Sequence, residues 1–135
     1  MKQLLTLSLL LISLNCISQS NDFIGKWAVD GLGSDGIISF DKEKNVILYL
    51  EGQTLGGDDY QIEGKKASFT YEINYKTNPI QLDFIYTLLE TGEQYRILFL
   101  AKFTGKNDLL LATSSNNVRP IEFKTENTMI LKRKE

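Results

Sequence analysis

The chain has 135 residues, 15 Lys and Arg against 17 Asp and Glu, a formal charge of −2, one cysteine and no histidine. Without histidine the commonest general base and the commonest metal ligand are both missing, which removes most hydrolase triads and zinc sites. Basic and acidic residues are interspersed along the chain and form no blocks, so sequence order indicates neither a nucleic-acid surface nor an anionic-membrane patch.

Residues 1–20 read as a signal peptide. Lys2 gives a short positive start, Leu4 to Leu14 is apolar apart from Thr6, Ser8 and Ser13, and Cys16 to Ser20 supplies small residues for cleavage after Ser18 or Ser20. The apolar run is shorter than the roughly 20 residues that span a bilayer. The expected location is therefore outside the cytoplasm, periplasmic or extracellular. Cys16 opens an alternative, a lipoprotein anchored through that residue. Asn15 fits that alternative poorly, because lipidation favours a small residue directly before the cysteine. Cleavage beyond Cys16 leaves a mature chain without cysteine, which excludes disulfides, thiol catalysis and cysteine metal sites.

Residues 21–135 make one domain of about 115 residues, enough for a single core. Apolar and polar residues alternate with period 2, which predicts strands near 25–30, 36–41, 45–51, 58–63, 66–74, 80–89, 93–104, 108–114 and 127–133. Phe123 and its neighbours can add a short extended piece. Turn residues separate the runs at Asp41 to Lys44, Gly52 to Gly57, Gly64-Lys65, Thr77 to Pro79, Glu90 to Gly92, Gly105 to Asn107 and Ser114 to Asn117. Two inward phases stand out: Phe69, Tyr71, Ile73, and Tyr95, Ile97, Phe99, Ala101, Phe103. Short links favour an all-β, antiparallel, up-and-down β-barrel of about eight strands, since closure removes exposed edges. A β-sandwich is the alternative.

Gly25-Lys26-Trp27 on the first strand resembles the Gly-x-Trp signature of lipocalins and the wider calycin group. Asn78 to Asp83, Ile97 to Phe103, Arg119-Pro120-Ile121-Glu122-Phe123 and Ile130 to Arg133 extend the likeness over nearly the whole mature chain. Together they resemble small exported lipocalin-like domains of unknown function, known from planctomycetes and Bacteroidetes. The resemblance implies fold and export, and it carries no activity. It also implies that Trp27 plugs one barrel end under a basic residue of the last strand. Arg133 has the parity for that role, and Arg119 is the second candidate.

Each remaining feature has two readings. Arg119 to Phe123 is a recognition loop, or an ordered connection with Phe123 in the core and Arg119 paired to Glu122 or another carboxylate. Gly52 to Asp59 fits neither a phosphate cradle nor a calcium loop and reads as a rim hairpin. Asp30, Asp35, Asp58, Asp59 and Asp83 specify no catalytic pair, although Asp83 stands out mid-strand between apolar neighbours. Phe69, Tyr71, Phe84, Tyr86, Tyr95 and Phe99 line a cavity or interlock as a dry core, with Asp30 to Gly36 as the candidate lid. The expectation is a non-catalytic barrel, no enzyme, with no cofactor, no metal and no nucleic-acid partner. It binds a small apolar or amphipathic molecule. The alternative is a protein-binding scaffold that inhibits an envelope or extracellular enzyme through its loops.

Overall fold

The computed structural model describes residues 22–32 and 36–134. The leader, Cys16, Asp35 and the middle of the candidate lid lie outside the described residues. Ten strands follow one another: β1 Gly25–Val29, β2 Gly36–Phe40, β3 Val46–Leu50, β4 Gln53–Leu55, β5 Gln61–Ile62, β6 Lys65–Asn74, β7 Ile80–Leu88, β8 Gln94–Gly105, β9 Asp108–Thr113 and β10 Thr128–Lys134. They form a single antiparallel sheet in the order β4-β3-β2-β1-β10-β9-β8-β7-β6-β5. One curled up-and-down sheet stands where a sandwich would need two.

The ten strands exceed the expected eight or so: the pattern already marks nine segments, and a tight glycine turn adds β4 inside an expected loop. Glu51 and Gly52 both have positive φ (49° and 79°), and so do Glu63 and Gly64 (51° and 80°). Each pair is the two-residue loop of a hairpin, between Leu50 and Gln53 and between Ile62 and Lys65. That geometry matches a type I′ turn, whose twist suits two flanking strands. The expected turn from Gly52 to Gly57 therefore contains β4, and the expected strand 58–63 shrinks to β5.

First and last strands lie side by side, with Trp27 opposite Arg133 and Val29 opposite Leu131. The seam of the curl falls between β3 and β6. It is joined near one end, where Asn45 bridges Thr70 and the Tyr71 amide donates to the Lys44 carbonyl at 2.9 Å. Towards the other end β4 and β5 splay apart and leave a mouth.

The enclosed face is filled by Trp27, Phe23, Phe40, Phe69, Phe84, Leu82, Leu109, Leu111 and Leu131, all almost fully buried. Aromatic rings meet edge to face, as do Phe40 on Tyr71 at 5.0 Å and Phe69 on Phe84 at 5.5 Å, or tilted, as does Phe84 on Phe99 at 4.6 Å. Such pairs add about 0.5–1.5 kcal/mol each beyond the area they bury. Phe69 and Tyr86 stack in parallel at 4.3 Å. The Tyr71 hydroxyl leaves the core by donating to the Asp41 carbonyl at 2.7 Å. Tyr75 differs, because its buried hydroxyl has no hydrogen-bond partner among the described residues.

Burial, with smaller contributions from Asp22 and Tyr71, pushes the Tyr75 phenol up to about 12, from 10.0 in a free tyrosine. The unfolded chain loses this proton near pH 10, whereas the folded chain keeps it to about pH 12. The contribution is thus fully present below about pH 10 and is lost as pH rises through about 12. Tyr75→Phe should flatten the alkaline fall of Tm and leave Tm at pH 7 unchanged or raised, since it removes an unsatisfied polar group. A Tm-against-pH series of the two proteins checks this, and a steeper alkaline limb in the variant contradicts it.

Candidate functional site

One end of the barrel is built on Trp27. Its indole N–H donates to the Phe23 carbonyl at 2.9 Å, and Phe103 and Phe23 pack together at 4.8 Å beside it. The Arg133 guanidinium lies 4.3 Å from the centre of the Trp27 rings. Arg133 also donates to the carbonyls of Ile24 at 2.8 Å and Asp22 at 2.7 Å, so it ties the chain entering β1 to the last strand. Gly25 has φ +126°, and a Cβ there would stand 3.1 Å from Arg133 Nη1. The glycine of the Gly-x-Trp signature thus supplies the positive φ and the close approach of the guanidinium that a Cβ would crowd. Arg133→Lys keeps the charge but loses the planar fork that reaches both carbonyls. It should lower stability by about 1–3 kcal/mol, read as a shifted urea midpoint. An unchanged midpoint would show the contact to be idle.

Arg119 is not at Trp27. It donates to Asp83 Oδ1 at 2.7 Å and to the Phe99 carbonyl at 2.8 Å. Asp83 Oδ2 meets Arg96 at 3.0 Å, and Arg96 also reaches Glu72 at 2.9 Å. Both carboxylate oxygens of Asp83 are therefore committed to arginines, which leaves no free base there. Glu122 pairs with Lys124 at 3.4 Å, and Phe123 is half-buried outside the core cluster. The segment 114–127 is a strap, drawn from β9 across β8 to β7. It crosses the outer face, where Leu100 and Ala112 are buried opposite each other although their alternation points them away from the core. Asp83→Ala should free the strap and cost about 1–3 kcal/mol, because it strands a half-buried guanidinium. Hydrogen exchange should accelerate at 114–127 first, and uniform acceleration contradicts the strap.

The mouth holds the concave site. Tyr60, Ile62, Glu63 and Lys65 form one wall, and Tyr86, Leu88, Glu93 and Tyr95 form the other, around a groove of about 460 Å³. Tyr60 leans over Phe69 and Tyr86, at 6.3 and 6.5 Å, and floors the groove above the packed interior. Burial raises the phenols of Tyr60 and Tyr86. A hydrogen bond with Glu93 raises that of Tyr95, with burial and then the charges of Glu93 and Glu63 adding to it. A larger depression, of about 950 Å³, lies at the Trp27 end among Asp22, Phe103, Lys106, Asn107 and Arg133. It is a poorer site, because it is an open hollow between turns and its Arg133 is already engaged by three carbonyls.

Of the six aromatic residues expected around the interior, Phe69, Tyr71, Phe84 and Phe99 interlock within the core. Tyr86 and Tyr95 reach the groove, and Tyr95 is 52% exposed because β8 runs past the packed section. Sequence reasoning missed Tyr60, Ile62, Leu88 and the charged residues around them. Leu88 shares its parity with Phe84 and Tyr86, so the inward phase of the 80–89 segment carried the one usable signal. Asp30, Asp58 and Asp59 are exposed and isolated from Asp83 in sequence and role. Among the described residues no group of three or more acidic, Cys or His side chains can hold a metal ion.

No protein-family model, curated protein or solved structure matches the chain.

Proposed function

We propose that this chain is a non-catalytic, exported, lipocalin-like binding module that takes a small apolar or amphipathic molecule at its tyrosine-lined mouth. The observation that carries the reading is the groove between Tyr60 and Tyr95. Its volume lies in the range of small-molecule sites, and it combines aromatic and aliphatic walls with a few polar groups at the rim. The interlocked aromatics below it leave the ligand seated on the barrel and not inside it. Lipocalin-like kinship is supported by the single up-and-down sheet and by Gly25, Trp27 and Arg133 in mutual contact. The absence of histidine and the double engagement of Asp83 support a non-catalytic role.

Native mass spectrometry of the protein from its own producing cells tests this. A small adduct lost on denaturation is expected, and Leu88→Arg, which fills the groove with a charged chain, should abolish it. An adduct that survives Leu88→Arg unchanged would place the ligand elsewhere. A bare wild-type mass, together with no binding of amphipathic fluorescent probes, would sink the carrier reading.

A second reading, a protein-binding scaffold, rests on the strap. Val118 and Ile121 are 61% and 91% exposed on a segment that Arg119 holds in place. An ordered apolar knob of this kind suits a pocket on a partner protein. Ile121→Asp discriminates the two: it leaves the groove adduct intact and removes capture of a partner enzyme if the scaffold reading holds.

A further inference from the structure

The turns of a meander alternate between the two ends of its barrel, so charges that are mixed along the chain are sorted in space. Lys26 and Lys134 are direct cross-strand partners at the start of β1 and the end of β10. Lys132 lies on the same outer face, next to Asp108. Lys106 sits in the β8–β9 turn beside Arg133, and Lys102 lies on the lower outer wall of β8. All five lysines are exposed, and none makes a salt bridge among the described residues. Asp22 and Asp108 stand beside them, and the β2–β3 turn at the same end carries Asp41 and Glu43 together with Lys42 and Lys44.

The mouth has the opposite sign. Glu51, Glu63, Glu90 and Glu93 occupy its turns, with Asp58 and Asp59 on the β4–β5 link, against Lys65 and Lys66. Two like charges placed directly opposite on a sheet are destabilising. The Lys26–Lys134 pair is therefore a local cost of the fold, and neither lysine makes a salt bridge among the described residues.

We infer that the basic end around Trp27 is a docking face for an anionic phospholipid bilayer, which holds the acidic, groove-bearing mouth away from the membrane. Charge complementarity is the first support: closely spaced, unpaired lysines attract an anionic leaflet, while the acidic mouth is repelled by it. The course of the chain is the second. Asp22, whose carbonyl Arg133 holds, enters at this same end. The apolar run Leu4 to Leu14 and Cys16 precede it by only a few residues in sequence. On the reading of residues 1–20 as an export leader, the chain that follows it enters the domain at this same end. A nucleic acid is disfavoured, because no exposed aromatic side chain is interleaved with these lysines to stack on bases.

Sedimentation with vesicles tests the docking face, using the protein made with its leader and carrying Cys16→Ser so that no acyl chain contributes. Binding is expected to phosphatidylcholine vesicles containing phosphatidylglycerol and not to phosphatidylcholine alone. It should vanish near about 1 M salt, where screening acts within a few Å. Neutralising Lys26, Lys106 and Lys134 to Gln should weaken binding roughly fivefold per lysine. Tm should hold or rise, since the Lys26–Lys134 repulsion is relieved, which separates lost docking from lost folding. Undiminished binding by the triple variant overturns the inference. So does equal sedimentation with both vesicle types, failure to bind either at low salt, or tighter binding to duplex DNA than to the anionic vesicles.

Discussion

Everything at the Trp27 end depends on where the Arg133 guanidinium lies. It covers the indole, donates to two carbonyls upstream of β1, and approaches Gly25 so closely that a Cβ there would lie 3.1 Å from it. β1 and β10 are therefore joined by more than their ladder, and the two halves of the sheet, β4 to β1 and β10 to β5, are held as one curl. An arginine suits this place because a planar fork can stack and donate at once. With Trp27 roofed in this way, Phe23 and Phe103 can pack against it without exposing the barrel end to water.

From that end the interior fills upward, and the filling decides where a ligand can sit. Phe40, Tyr71, Phe84 and Phe99 occupy the middle, and Phe69, Tyr86 and Tyr60 close it above. Buried rings that interlock in this way leave no room for a guest without displacing side chains. The space that remains is the mouth, where β7, β8 and the β5–β6 hairpin outrun the packed section. The β5–β6 hairpin walls it on one side and the ends of β7 and β8 on the other, and its lining takes no residue from β3 or β4.

Much of the fold was legible because period-2 alternation is strong in the long strands. The segments 66–74, 80–89 and 93–104 predicted from pattern fall within a residue or two of β6, β7 and β8. The failures have physical causes. β4 is three residues long and lies inside what composition marks as a loop, so only the paired positive φ values of Glu51 and Gly52 reveal it. Arg119 was expected over Trp27, or paired to Glu122 or another carboxylate; that carboxylate is Asp83, two strands away across the sheet, and no local pattern encodes which one it is. Asp83 itself drew notice as a charge between apolar neighbours, and the two arginines explain how it is tolerated there. Leu100 and Ala112 look like errors of alternation until the strap is seen to cross them.

Charge shows the same dependence on topology. Read in order, the sequence mixes lysines and carboxylates so evenly that no patch can be drawn from it. An up-and-down sheet sends odd and even turns to opposite ends, so evenness along the chain and segregation in space are compatible. Glu63 and Glu90 are separated by Lys65, Lys66 and Lys76 in sequence, yet they share one rim. Lys26 and Lys134 are more than a hundred positions apart in the numbering and stand directly opposite each other. A field of this kind extends about a Debye length, roughly 8 Å at physiological salt. It therefore acts at the two ends of the barrel separately, and each end presents its own sign to whatever approaches it.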